Sequence, residues 1–142
     1  MIDLPAGLDR VQGVGGTGVD VVDVERLARA LARTPGFARR VFAADELDAC
    51  AGRPDRPAAL AGRFAAKEAV LKALGLGIFD LPLSEIVVTG GRDRPPALEL
   101  RGAAAAAAAE RGIAAWLLST SHDGGVAAAV AIALDERQPA VR

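Results

Sequence analysis

The stretch from Ala58 to Leu74 constrains the fold more than any other part of the chain. It is rich in helix formers, keeps Leu60, Phe64, Leu71 and Leu74 on one stripe, and meets Gly75 where a helix-terminating glycine belongs. A helix of this length must bury its stripe against a second layer. The rest of the sequence supplies that layer as short apolar runs. Val19–Val22, Glu85–Thr89, Ala97–Arg101, Trp116–Ser121 and Val126–Leu134 read as strands bounded by turn residues.

Three further helices are expected. Asp23 offers an N-cap to a helix over Val24–Arg33, which Thr34-Pro35-Gly36 ends. Phe37–Cys50 reads as one helical stretch before the turn-rich Gly52–Pro57 loop, and Ala103–Arg111 as an alanine helix closed by Gly112. The order β-α-α-α-β-β-α-β-β implies an α+β domain with helices packed on a mostly antiparallel sheet. The domain is expected over residues 13–134, with residues 1–12 an extension and 135–142 a tail.

At 142 residues the chain is one domain by length. Cys50 is the single cysteine, which excludes an internal disulfide and a thiolate-rich zinc site. The opening Met1–Ala6 carries an acid and a proline where a signal peptide needs a basic head and an apolar run, so a cytoplasmic protein is expected. Net charge is −1, which gives no general reason to expect nucleic acid or membrane as partner. Locally the picture differs. Arg26, Arg29, Arg33, Arg39 and Arg40 follow one another with no intervening carboxylate. On the first helix Arg26, Arg29 and Arg33 share an arc of about 60°, opposite Val24, Leu27 and Leu31, a face suited to an acidic partner.

Several residues sit where packing alone would not put them. Asp20 interrupts the apolar Val19–Val22 run, and a carboxylate inside a strand needs water, a hydrogen bond, an ion pair or a metal. Lys67 falls on the apolar stripe of the Ala58 helix, where leucine would pack better. Glu68 and Lys72 stand i,i+4 on one flank, with Arg63 on the other. They read either as a surface ion pair or as a metal-binding carboxylate beside cations for phosphate oxygens. His122, the single histidine, ends an apolar strand after Ser119-Thr120-Ser121, where it could be structural or could meet a phosphate or ribose.

One motif is a decoy. Gly13-Val14-Gly15-Gly16-Thr17-Gly18 matches G-x-G-x-x-G but precedes a strand rather than opening a helix, so it is not a dinucleotide loop.

Taken in order, four blocks resemble the holo-acyl-carrier-protein synthase family of phosphopantetheinyl transferases. They are Gly18-Val19-Asp20-Val21-Val22 with Val24-Glu25-Arg26-Leu27, Phe42-Ala43-Ala44-Asp45-Glu46-Leu47, Leu60–Ala69 with Lys72, and Ser119-Thr120-Ser121-His122. The resemblance implies the phosphopantetheinyl transferase fold and transfer of the 4′-phosphopantetheine of coenzyme A to a serine of an acyl carrier protein. It implies Mg²⁺ on Asp20 and Glu68, with Lys72 and Lys67 at the diphosphate. Arg63, Ser121 and His122 would contact the nucleotide, and the Arg26, Arg29, Arg33 face the carrier. It further implies a homotrimer with active sites between subunits.

The sequence departs from the family pattern at Asp93-Arg94-Pro95, which lacks the usual glycine, and at polar Thr120. No residue declares itself the general base. The same chemistry on a polyketide or peptidyl carrier, a non-catalytic module for a nucleotide or acidic partner, and a Mg²⁺-dependent phosphohydrolase stay open at this level.

Overall fold

The computed structural model describes residues 11–136. Residues 1–10 of the expected extension and 137–142 of the expected tail lie outside the described residues. The elements run β1 (Val11–Asp23), α1 (Val24–Arg33), α2 (Phe37–Val41), α3 (Ala44–Cys50), α4 (Arg56–Ala73), a 3₁₀ turn (Leu83–Glu85), β2 (Ile86–Thr89), β3 (Ala97–Leu100), α5 (Gly102–Glu110), β4 (Ile113–Asp123) and β5 (Val126–Glu136). β1 and β5 pair past both ends of the expected 13–134 span.

The strands form two antiparallel sheets rather than one. β1, β5 and β4 make a three-stranded sheet in that order, and β2 pairs only with β3. α4 lies across β1 and β5, and this contact decides the residue types on both sides. A Cβ at Gly18 would stand 1.8 Å from the carbonyl oxygen of Ala69, and one at Gly16 would stand 2.0 Å from that of Ala73. Only glycine admits so close an approach. The glycine-rich run is therefore strand β1, emptied of side chains where α4 crosses it. β5 answers with Ala127, Ala129, Ala131 and Ala133, all buried on the same face.

Local signals account for the helix ends. The Asp23 carboxylate accepts the Arg26 N–H at 2.9 Å and starts α1. α4 closes through Gly75, in the left-handed region, with Leu76 N–H donating to the Leu71 carbonyl and Gly75 N–H to that of Lys72. The expected Phe37–Cys50 helix breaks in two at Phe42 and Ala43, both extended. Phe42 is buried there, and the Glu46 carboxylate accepts the Ala43 N–H at 3.0 Å, so α3 starts afresh.

The face of the three-stranded sheet turned away from α4 is apolar and open. Val14, Val19, Val21, Leu117, Val126 and Val130 are exposed on it, Val21 at 64%. No helix among the described residues is long and apolar enough to cross a membrane.

Candidate active site

β1 is an edge strand, and α4 crosses it at Ala69 and Ala73. Glu68 and Lys72 flank that crossing on α4, so both project along the β1 edge beside Asp20. The Lys72 ammonium donates to the Asp20 carboxylate at 3.2 Å and to the Val19 carbonyl at 2.9 Å. Partial burial pushes the Glu68 carboxyl above its ordinary range, repulsion from Asp20 adds to this, and Lys72 opposes it. Two carboxylates thus share one ammonium and retain excess negative charge.

That donor set fits a hard divalent cation. Among the described residues no group of three or more His, Cys, Asp and Glu gathers to hold a metal, so a cation held by Asp20 and Glu68 would need its other ligands from water or phosphate oxygens. Mg²⁺ is bound in this way, through one or two carboxylates with retained waters and substrate phosphates.

The strained carboxylate predicts a stability effect. Because the folded state holds the Glu68 proton more tightly than the unfolded chain does, folding loses stability as pH rises from the ordinary glutamate range through the raised value. Without divalent cations, Glu68→Gln should melt higher than wild type at neutral pH. The difference should close below about pH 4, where both states are protonated. Differential scanning fluorimetry across pH reads this directly.

The second group of predicted residues lies elsewhere. Arg63, Thr120, Ser121 and His122 line a cleft of about 370 Å³ together with Gly90 and Gly91. Asp20, Glu68 and Lys72 are not among its lining residues. Arg63 is buried, and its guanidinium donates to the carbonyls of Val88 and, at 3.5 Å, Gly90. The departure at Thr120 takes nothing from the cleft, since this side chain is part of the wall. In the other departure, Gly91 N–H donates to the Arg94 carbonyl at 2.8 Å, which closes a turn around Arg92 and Asp93.

Lys67 requires a correction. Its ammonium is 0% exposed, and its three donors go to Glu46 at 2.6 Å, the Leu83 carbonyl at 3.0 Å and the Ile86 carbonyl. A buried ammonium with all three protons in use has none for a diphosphate. The family resemblance put it among the phosphate cations, and nothing in the sequence marked its partner, Glu46, which is 21 residues away on another helix.

Two residues at the cleft were missed. Arg53 lines it and holds Asp55 through two bonds of 2.9 Å. The Arg-Pro-Asp spacing in a loop was the available signal. Arg26, Arg29 and Arg33 are exposed on α1, directly after the strand that carries Asp20, and Arg29 reaches Glu25 at 3.5 Å. Leu27 is buried beneath them, with Val24 and Leu31 packed on the core.

Known proteins resemble this chain in sequence and in fold. A model of the 4′-phosphopantetheinyl transferase superfamily matches residues 16–131. A holo-acyl-carrier-protein synthase of Frankia casuarinae is 53% identical over 84% of this chain and 97% of its own length. One of Salinispora arenicola is 50% identical over 82% and 94%. Among solved structures, the Chronobacterium ammoniagenes synthase in complex with coenzyme A superposes with a TM-score of 0.75 at 32% identity, covering 86% of this chain and 98% of that one. The Neisseria meningitidis synthase does so at 0.76 and 30%, covering 84% and 98%. The chain belongs to the 4′-phosphopantetheinyl transferase superfamily, among its holo-acyl-carrier-protein synthases.

Proposed function

We propose that the enzyme transfers 4′-phosphopantetheine from coenzyme A to a serine of apo acyl carrier protein, with Mg²⁺ on Asp20 and Glu68, and releases adenosine 3′,5′-bisphosphate. The observation that carries this reading is the Asp20, Glu68 and Lys72 corner, where two carboxylates and one ammonium meet at a sheet edge.

The serine oxygen bonds to the β-phosphorus as the bond from that phosphorus to the bridging oxygen breaks. The serine proton leaves to solvent or a carboxylate, and the adenosine bisphosphate departs with the bridging oxygen. Bound Mg²⁺ supplies neutralising charge at the diphosphate. Lys72 is 52% exposed at its side chain, so its ammonium can follow the negative charge that grows on the leaving group. Arg63, Ser121 and His122 hold the nucleotide in the cleft.

The corner and the cleft sit on opposite edges of one three-stranded sheet, β1 and β4, with β5 between them. A homotrimer in which one copy's corner meets its neighbour's cleft reconciles the two. The open valine face of the sheet supports this assembly, since an exposed apolar patch of this kind marks an interface. The reaction belongs to the cytoplasm on this reading, and its first substrate to test is the fatty-acid carrier, with polyketide and peptidyl carriers alongside.

The arginine face of α1 receives the acidic carrier. Arg26→Glu/Arg33→Glu is expected to raise KM for the carrier about tenfold or more, with a weakened salt dependence and an unchanged KM for coenzyme A. Initial rates at two ionic strengths measure it.

Release of adenosine 3′,5′-bisphosphate, followed by chromatography, tests the reaction class. Release should require both apo carrier and Mg²⁺. Equal release without a carrier would make the protein a phosphohydrolase.

A further inference from the structure

β2 pairs with β3 along one edge only, yet the backbone groups of its other edge are not left to water. Side chains take the place of a missing strand. Lys67 donates to the Ile86 carbonyl, the Glu46 carboxylate accepts the Val88 N–H at 3.1 Å, and Arg63 donates to the carbonyls of Val88 and Gly90. Arg63 and Lys67 stand one turn apart on α4, so a single helix grips the strand at two heights. Glu46 joins the grips, because it holds Lys67 with one oxygen and Val88 with the other. Ala43 N–H completes it, and no buried side-chain polar atom among the described residues lacks a partner. The strand so held leads straight into Gly90 and Gly91, which line the same cleft as Ser121 and His122.

We infer that the buried Glu46–Lys67 pair is a positioning device for the nucleotide cleft: it fixes the β2 edge that orients Arg63 and the Gly90–Gly91 wall, and so sets affinity for coenzyme A. The inference rests on the proposed nucleotide role of the cleft. The pair lies wholly inside the protein and touches no substrate. Its effect passes through Val88, which it holds by the N–H while Arg63 holds the carbonyl. Burial lowers the Lys67 pKa, and the charge and hydrogen bond of Glu46 oppose this.

Glu46→Gln keeps the shape but turns an NH₂ toward donors that now converge on two carboxylate oxygens. Steady-state kinetics of the full-length protein with coenzyme A and carrier should give a KM for coenzyme A raised about tenfold, with kcat and the carrier KM within about threefold of wild type. Arg63→Lys should also raise the coenzyme A KM, and the double variant should fall short of the product of the two effects, since both act through Val88. A lowered melting temperature with an unchanged coenzyme A KM would reduce the pair to a folding element and overturn the inference, as would strictly multiplicative effects. If Arg63→Lys alone leaves the coenzyme A KM untouched, the nucleotide reading itself fails and the inference with it. Should Glu46→Gln not fold, Glu46→Leu/Lys67→Met removes both charges together, a change that buried pairs tolerate, and carries the same expectations.

Discussion

Asp20→Asn is expected to lower kcat by about 10²–10³-fold while leaving the melting temperature within a few degrees of wild type. The asymmetry follows from what the carboxylate does in each state. In folding, it gains an ion pair with Lys72 that is half open to water and worth at most about 1 kcal/mol, and it loses something through repulsion of Glu68. The two terms oppose each other, so asparagine costs the fold little. In the reaction, asparagine removes half of the anionic charge that would hold Mg²⁺ and frees Lys72 from its anchor. Asp20→Asn/Glu68→Gln should be no more than a few-fold slower than the worse single variant, because the two carboxylates act as one site. Steady-state rates at saturating Mg²⁺, beside thermal melts, check both halves of the expectation.

The second large effect concerns assembly. Val21→Asp puts a charge in the middle of the exposed valine face, on a side chain that is itself open to solvent, and should leave the monomer folded while abolishing activity. Sedimentation should then report a monomer. A mixing experiment makes the claim sharper. Asp20→Asn has a damaged corner and an intact cleft, and His122→Ala has the reverse. Dissociated and reassembled together in equal amounts, the two inactive variants should recover about one quarter of wild-type activity, the fraction of neighbouring pairs in a cyclic trimer that unite an intact corner with an intact cleft. No recovery would mean that each chain completes its own site.

How legible these features were depended on the reach of the interaction behind each one. The span of α1, its Asp23 cap and the Gly75 end of α4 were readable because their causes lie within a turn of the residues concerned. Asp20 was readable as an anomaly by itself, but its neighbours Glu68 and Lys72 only through the family resemblance, since Lys72 comes from 52 residues further along. The first half of β1 was missed because glycines are poor strand formers, and their reason for being there is the carbonyls of Ala69 and Ala73 on another element. The break between α2 and α3 depends on burying Phe42, and the separation into two sheets on side chains that cap the β2 edge. Lys67 is the instructive failure. Its place on an apolar stripe was noticed, and the conclusion that it serves phosphate followed from a resemblance, whereas the stripe itself was pointing to a buried partner.

The most direct measurement of the central claim is the intact mass of an apo acyl carrier protein after incubation with the enzyme, coenzyme A and Mg²⁺. The carrier should gain the mass of one 4′-phosphopantetheine, with no gain when Mg²⁺ is chelated or the carrier serine is replaced by alanine. A carrier that keeps its apo mass across fatty-acid, polyketide and peptidyl types, with enzyme shown to be folded and assembled, would contradict the account.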